Sequence, residues 1–393
     1  MRSGISDKLK YKKNTNCYRF CSCKLSSFDQ VIPPTNMASS ESTPVHFVVI
    51  GAGIIGPRHA MTIVNNHEAK LVAIIDPSPA GQTLAAKLGV NYFTTVDKLL
   101  NSSERVDAAV ICTPNHTHVS IAKQLASHNV HVIIEKPISS NVESGRDLVS
   151  SLSSAASKVL VGHHRRFNPY IMKTKDVLAT GKLGKIMAIN GIWALHKPID
   201  YFQAPAEWRQ SETGGAILIN MIHEIDLLHY LIGPIVRVHA ERIPAQRGYS
   251  ADEGAAMTLK FKTGAVGTFL LSDYAPSPYN FESGSGENPL IPKAGQDFYR
   301  IFGTEGCLSV PDMALWSYSD GKKSWHSQMT KHQIPVDEAI PFDLQLQHFI
   351  NAIRGREDIK STPQSGLAAL IVCGAIKEAL DQEKTVYIAD YSL

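Results

Sequence analysis

The sequence predicts an α/β protein: a doubly wound parallel sheet in the N-terminal half, then an α+β domain with a large open, mainly antiparallel sheet. Three observations carry that expectation. The stretch from Val48 to Gly56 reads VVIGAGIIG, an apolar strand running into a glycine-rich turn. Short β-branched runs then alternate with helix-length segments as far as KVLVGHH, which ends at His164; strands covered on both faces read this way. After Pro169 the runs lengthen and alternate apolar with polar residues, joined by turn signals such as KTG, the pattern of hairpins.

In chain order, strands are expected at VHFVVIGAG, KLVAIIDPS, VNYF, VDAAVICTP, NVHVIIEKP and KVLVGHH, with helices between them. The second half should open with a helix to about Thr180 and a strand IMAINGIWAL, followed by a polar and aromatic loop to Thr213. A strongly apolar helix is expected from Ala216 to Leu231, then strands AAMTLKF and AVGTFLLSD. A Gly-, Pro- and Ser-rich loop spans Pro276 to Gly295, and helices return at Pro341 to Arg354 and Pro363 to Leu380. At 393 residues the chain is long for one core. The expected division is an extension over 1–44, a nucleotide-binding domain over 45–165 and a substrate-binding and oligomerisation domain over 166–393.

The formal charge of +3 is concentrated at the start: residues 1–44 hold seven Lys or Arg against three Asp or Glu, and the body is nearly neutral. No basic stripe marks the body, so no nucleic-acid partner is expected. No apolar run approaches the roughly 18 to 20 residues of a membrane helix, so no membrane span is expected. Residues 1–44 read as a disordered extension, or as a mis-assigned start with Met37 as the alternative initiator. Their basic character also leaves a mitochondrial presequence open. Cys112, Cys307 and Cys373 stand singly, without the spacing of a zinc knuckle or a disulfide framework. A reducing, cytoplasmic compartment follows as the expectation.

Gly51, Gly53 and Gly56 follow an apolar strand and open a helix, the context that makes a glycine fingerprint meaningful. Gly51 would permit the tight turn, Gly53 a close approach of backbone to pyrophosphate, and Gly56 close packing of helix on strand. The backbone N–H groups around Ile54 and Ile55 would face the phosphates. Asp76 ends the second strand about twenty residues on, placed to accept hydrogen bonds from a ribose. Its charge would repel a 2′-phosphate, and Pro77, Ser78 and Pro79 supply no cation, so NAD is expected rather than NADP. Thr113, Pro114 and Asn115 end the fourth strand, and Glu135, Lys136 and Pro137 the fifth; ligands of open sheets sit beyond such carboxyl ends. Pro137 should hold Lys136 extended at the crevice.

The glycine motif, TPNxxH from Thr113 to His118, EKP at Glu135 to Pro137, and EWRQSETGGAILINMIHEIDLL from Glu207 to Leu228 together resemble the glucose–fructose oxidoreductase, inositol dehydrogenase and rhizopine catabolism family. The resemblance covers about residues 45 to 390. It implies a Rossmann domain, a nicotinamide cofactor, a sugar or polyol substrate, and a C-terminal sheet that joins subunits into a homodimer or homotetramer. It also implies that Lys136 and His223 face the reacting alcohol. Many members carry an aspartate four residues before that histidine; here the position is Ile219, with Asn220 beside it as a candidate for a substrate hydroxyl. Asn168, in HHRRFNP, matches a position near the substrate, and Arg165 or Arg166 would border substrate or cofactor.

Oxidising an alcohol requires a proton acceptor as hydride leaves, and a histidine starting near 6.5 suits that task, so His223 is the expected base. Lys136 would hydrogen-bond the same oxygen. Asp226, three residues on, would orient the imidazole or serve a structural role. Trp208 is one of several aromatics that could cover a sugar face. The pairs His116 and His118, and His163 and His164, lack the spacing or thiolate partners of a metal site, so no metal is expected. A non-catalytic NAD-binding regulator or scaffold of the same fold is the alternative, kept open by Ile219.

Overall fold

The computed structural model describes residues 43–388 apart from positions 154, 205 and 320. The expected N-terminal extension therefore lies outside the described residues except for Thr43 and Pro44. The first sheet contains β1 (Val45–Ile50), β2 (Ala69–Ile75), β3 (Asn91–Phe93), β4 (Ala108–Ile111), β5 (His131–Ile134) and β6 (Val159–Val161). Their order is β3-β2-β1-β4-β5-β6, and every neighbouring pair is parallel. β1 and β4 are buried almost throughout, which explains why their sequences do not alternate. The order reverses between β1 and β4, so a crevice opens at their carboxyl ends.

The connecting helices are α1 (Gly56–Val64), α2 (Pro79–Leu88), α3 (Val96–Leu100), α4 (His118–Ser127) and α5 (Val142–Leu152). Local signals set their ends. Proline opens α1 and α2, Gly89 closes α2 in the left-handed region, and Asn141 caps α5 by accepting from the Ser144 N–H at 2.8 Å.

The second half begins with α6 (Pro169–Ala179) and β7 (Ile186–Ala194), and continues with α7 (Ile222–Leu231), β8 (Ile235–Arg242), β9 (Gly254–Phe261) and β10 (Val266–Ser272). A short α8 (Phe281–Ser285) precedes β11 (Tyr299–Gly303), β12 (Gly306–Val310), β13 (Ala314–Ser317) and β14 (Thr330–Gln333). The chain ends with α9 (Pro341–Ile353), α10 (Pro363–Gln382) and β15 (Val386–Tyr387). The nine strands run β14-β13-β12-β11-β7-β10-β9-β8-β15 and are antiparallel except for the pair β7 and β10.

Two departures from the sequence reading occur near the crevice. The apolar helix expected from Ala216 to Leu231 is split: Ile217–Met221 is a π turn, and α7 starts only at Ile222. The Asp252 carboxylate receives the Ile217 N–H at 2.8 Å, and Gly215 lies so close to Asp252 that an added Cβ would stand 2.0 Å from its Oδ2. The loop expected from Pro276 to Gly295 contains the fully buried α8, capped by Asn280 through the Ser283 N–H. Its small residues disguised a packed element, which Phe281 anchors against Phe298 at 4.7 Å.

One face of the nine-stranded sheet packs on helices, with α10 also reaching α7 and α5. The other face presents a cross-strand row of Trp316, Cys307, Phe302, Ala188 and Val266, with Leu270 in a neighbouring row. Trp316, Phe302, Val266 and Leu270 are all exposed. Gly215→Ala should overpack the contact with Asp252 and cost about 1–3 kcal/mol. Calorimetry should show a lower midpoint of thermal unfolding; an unchanged midpoint would mean that Asp252 withdraws at no cost.

Candidate active site

The glycine turn has three different jobs at its three glycines. Gly51 has φ +100°, and a Cβ there would meet the Cys112 carbonyl at 2.7 Å. A Cβ on Gly56 would strike the Gly51 carbonyl oxygen at 1.9 Å, so helix and strand are in contact. Around Gly53, by contrast, nothing lies within 4 Å of an added Cβ. Ile54 is 82 % exposed and no side chain caps α1. The N–H groups of Gly53, Ile54 and Ile55 have no partner among the described residues. Bare backbone, unpaired donors and a helix N-terminus fit a dinucleotide pyrophosphate.

Asp76 is drawn into this turn. Its Oδ2 accepts the Ala52 N–H at 2.6 Å, and its Oδ1 accepts the Ser78 N–H and hydroxyl at 2.7 and 2.5 Å. Burial pushes its pKa up, but these hydrogen bonds outweigh burial and hold it below the ordinary value. They use three of its about four acceptor positions. The carboxylate remains anionic and keeps one acceptor position on Oδ2 open.

The EKP turn is locked from below. Glu135 pairs with His59 of α1 at 2.7 Å and accepts the Lys136 N–H at 3.1 Å, and the Lys136–Pro137 peptide is cis. Burial opposes its charge, but His59, His164 and Lys136 together lower its pKa to about 2. His118 lies between carbonyls: Nδ1 is 2.9 Å from the Pro137 oxygen and Nε2 is 2.8 Å from the Thr113 oxygen. It ties the EKP turn to the TPN turn, where Pro114 and Asn115 are exposed. Thr113 accepts the Thr117 hydroxyl at 2.6 Å.

Lys136 crosses to the second half, and its Nζ donates to the Ile219 carbonyl in the π turn at 3.3 Å. Ile219, where the resemblance implied an aspartate, thus receives the lysine through its backbone. Desolvation, aided by Arg165 and Lys197 and opposed by Glu135 and Glu282, brings the Lys136 pKa down to about 8. His223 is 6 % exposed and its Nδ1 is buried with no partner among the described residues. Its pKa is far below 6.5, first through burial and then through the charges of Lys136 and Arg165. That corrects the expectation of a histidine poised near neutrality: the imidazole is neutral chiefly because it is buried, and the neighbouring cations reinforce this.

Asn220 is also engaged, its Oδ1 accepting from Lys197 Nζ at 2.7 Å. Lys197, absent from the sequence reading, is buried, 3.2 Å from Asp273, and lies over the Tyr201 ring at 4.8 Å. No local motif marks it; only the end of β7 brings it here.

Beneath His223 lies a second group that the sequence reading largely missed. Arg165 bonds Glu224 at 2.6 Å and Glu282 at 2.5 Å, and its Nε stands 3.6 Å from Glu287. Glu282 also receives the Trp193 indole N–H at 2.7 Å, and Glu224 the Tyr299 hydroxyl. Burial raises Glu224 to about 7 against the pull of Arg165. Glu287 is held to about 2 because His164, at 2.9 Å, and Arg165 outweigh its burial.

Three expected substrate contacts are occupied by the fold itself. Arg166 pairs with Asp226 through two hydrogen bonds of 2.7 and 2.6 Å, so Asp226 neither bonds His223 nor opens to the crevice. Asn168 caps α6 through the Tyr170 N–H at 3.0 Å and is 3 % exposed. Trp208 is 51 % exposed, near the Arg209 guanidinium rather than within the Lys136 and His223 group. Among the described residues no cluster of His, Cys, Asp and Glu is arranged to hold a metal ion, and no helix is long and apolar enough to cross a membrane.

A parallel sheet with an open glycine turn, and a lysine at the end of its fifth strand that reaches the π turn before His223 in the second sheet domain, has the form of a nucleotide-binding Rossmann protein. The family model described as "Oxidoreductase family, NAD-binding Rossmann fold" matches residues 45–163, and "GFO/IDH/MocA C-terminal domain" matches residues 171–309. The chain belongs to this oxidoreductase family. It is 24 % identical over 355 residues to an inositol 2-dehydrogenase of Rhizobium meliloti, covering 88 % of this chain and 99 % of that protein. It is 29 % identical over 357 residues to a myo-inositol 2-dehydrogenase of Thermotoga maritima, covering 87 % and 98 %. Its fold matches that of the WlbA dehydrogenase from Bordetella pertussis, solved with NADH and UDP-GlcNAcA, with a TM-score of 0.70, 22 % identity, and coverage of 88 % and 99 %.

Because Glu135 titrates at about 2 in the fold and at about 4.3 in an unfolded chain, its contribution is present above about pH 4.3 and is lost as pH falls through about 2. Glu135→Gln should flatten the dependence of the thermal midpoint on pH across that window. An unaltered dependence would deny the His59 pair its role.

Proposed function

We propose that the protein moves hydride between a nicotinamide dinucleotide and a secondary alcohol or ketone of a sugar, inositol or related polyol. The observation that carries this reading is that Lys136, at the carboxyl end of β5, donates to the Ile219 carbonyl at 3.3 Å, four residues before His223. Residues 45–165 act as the nucleotide half and 166–393 as the substrate half. The crest from Gly51 to Gly56, including Gly53, Ile54 and Ile55, holds the pyrophosphate, and Asp76 the ribose. Thr113, Pro114 and Asn115 border the nicotinamide side, with His118 and Glu135 setting the two turns. Bound there, the nicotinamide supplies or accepts the hydride.

Neutral His223 accepts the hydroxyl proton during oxidation and returns one during reduction. The Lys136 ammonium donates to the same oxygen and stabilises its developing negative charge. Asn220 offers its amide to a substrate hydroxyl, and Trp208 an aromatic face at the rim. The names of the inositol dehydrogenase relatives support a polyol. The alternative of a non-catalytic regulator has no supporting observation of its own. The free thiols of Cys112, Cys307 and Cys373 suit the cytoplasmic setting we propose. The exposed row on the nine-stranded sheet suits a contact between copies of this chain.

A panel of inositols, sugars and sugar acids with NAD and NADP, followed by the near-ultraviolet absorbance of reduced nicotinamide, tests the reading. Turnover of a polyol is expected, and NAD binding without turnover of any member would overturn it. Asp76→Ala should weaken NAD more than NADP by titration calorimetry; equal weakening would remove the ribose role. Lys136→Met should lower kcat roughly 10²- to 10³-fold, as for other lost oxyanion donors. Since the ammonium form is lost as pH rises through about 8, wild-type activity should fall along that limb. Lys136→Arg, charged throughout, should abolish the limb, and its survival would assign it elsewhere. Phe302→Asp with Leu270→Asp should reduce the mass measured by light scattering if the outer face joins subunits.

A further inference from the structure

His223 holds a proton weakly, since it is buried and Lys136 and Arg165 make its surroundings positive. A base of that kind needs an onward carrier. Two histidines stand beside it. The His164 ring centroid is 5.5 Å away at 73°, and that of His163 is 6.1 Å away at 89°.

The two neighbours differ in what holds them. His163 is 1 % exposed, both its ring nitrogens are buried without a partner among the described residues, and its nearest carboxylate, Asp226, is 3.8 Å away and committed to Arg166. His164 is bonded through Nε2 to Glu287 at 2.9 Å, leaving Nδ1 buried and unpartnered. Its ring is fixed by stacking on Phe342 of α9 at 4.5 Å and 28°. It is also less enclosed than His163. A buried ring nitrogen with no partner, beside a second one on His223, calls for a shared proton or a shared oxygen.

We propose that His164, held by Glu287, takes the substrate proton on from His223 and carries it toward solvent. This rests on His223 being the base. The substrate O–H bond breaks and its electron pair stays on oxygen, forming the carbonyl as hydride leaves carbon for the nicotinamide. The proton binds His223, passes to His164 to give an imidazolium paired with the Glu287 carboxylate, and leaves to water; reduction reverses each step. The charged and titratable groups around His164 are Glu287 after α8, Glu135 on the EKP turn, His223 on α7 and Arg165 next in the chain, with Arg58 of α1 facing Glu287. Phe342, from α9, contributes no charge. His164 and Glu287 are thus positioning residues, acting through His223.

The test uses the full chain with NAD and myo-inositol, the remaining panel polyols being tried if that one fails. His164→Gln should lower kcat about 10²-fold with KM little changed. Glu287→Gln should lower the kcat plateau with KM little changed, because the imidazolium formed on His164 loses its paired carboxylate. The second variant leaves both histidines in place should the first misfold. Wild-type kcat in both, with His223→Ala inactive, would end the relay and leave the base assignment standing. Turnover retained in His223→Ala would end both. If no polyol is turned over, nuclear magnetic resonance of the substrate-free histidines decides: the His164 ring resonances should shift in Glu287→Gln, and unmoved resonances overturn the pairing.

Discussion

Two protonatable nitrogens, one on Lys136 and one on His223, lie in a poorly solvated space already crowded by Arg165 and Lys197, in which the imidazole carries no charge. Much of the surrounding architecture answers that constraint. The lysine keeps its charge because Glu135 lies beside it in the chain and Glu282 faces it. The imidazole gives up its charge because it is buried and has no carboxylate bonded to it. A site of this kind separates roles by environment: one group presents a fixed ammonium, the other an empty lone pair.

The counter-charges are then supported by layers further out. His59 of α1 fixes Glu135, and the glycine at the start of the same helix packs against β1. Arg165 gathers Glu224, Glu282 and Glu287, three carboxylates from two distant segments that would repel one another without it. The π turn before α7 serves a similar end, since its Ile219 carbonyl and Asn220 side chain receive one lysine each. Turns of this type concentrate where helices carry function.

The first sheet was legible because its burial is two-sided and its turns carry Gly, Pro and Asp, so composition alone reports geometry. VVIGAGIIG, DPS, CTP and EKP each mark a strand end that the fold places along one crevice. The second half was legible only in part. An apolar run does not reveal whether its backbone winds as an α-helix or a π turn, because Asp252, which receives the Ile217 N–H, lies far along the chain. Glu282 and Glu287 sit in a stretch whose small residues suggest a surface loop, and Lys197 sits in one whose aromatics suggest a rim. Their roles come from long-range burial, which leaves no local period. Asn168 was identified through kinship and Asp226 through its spacing from His223, and the fold commits them to a helix cap and an ion pair.

The packing of α9 carries one more consequence. Phe349 meets Phe47 of β1 at 6.4 Å, Leu346 and Ile350 join the same apolar layer, and Arg354 reaches back to Glu68. One side of the parallel sheet is therefore sealed by a segment made some three hundred residues after its first strand. During synthesis on the ribosome, the part of that side not covered by α1 and α2 must wait with its apolar strands exposed until most of the polypeptide has emerged, an interval in which chaperones have their best opportunity to bind.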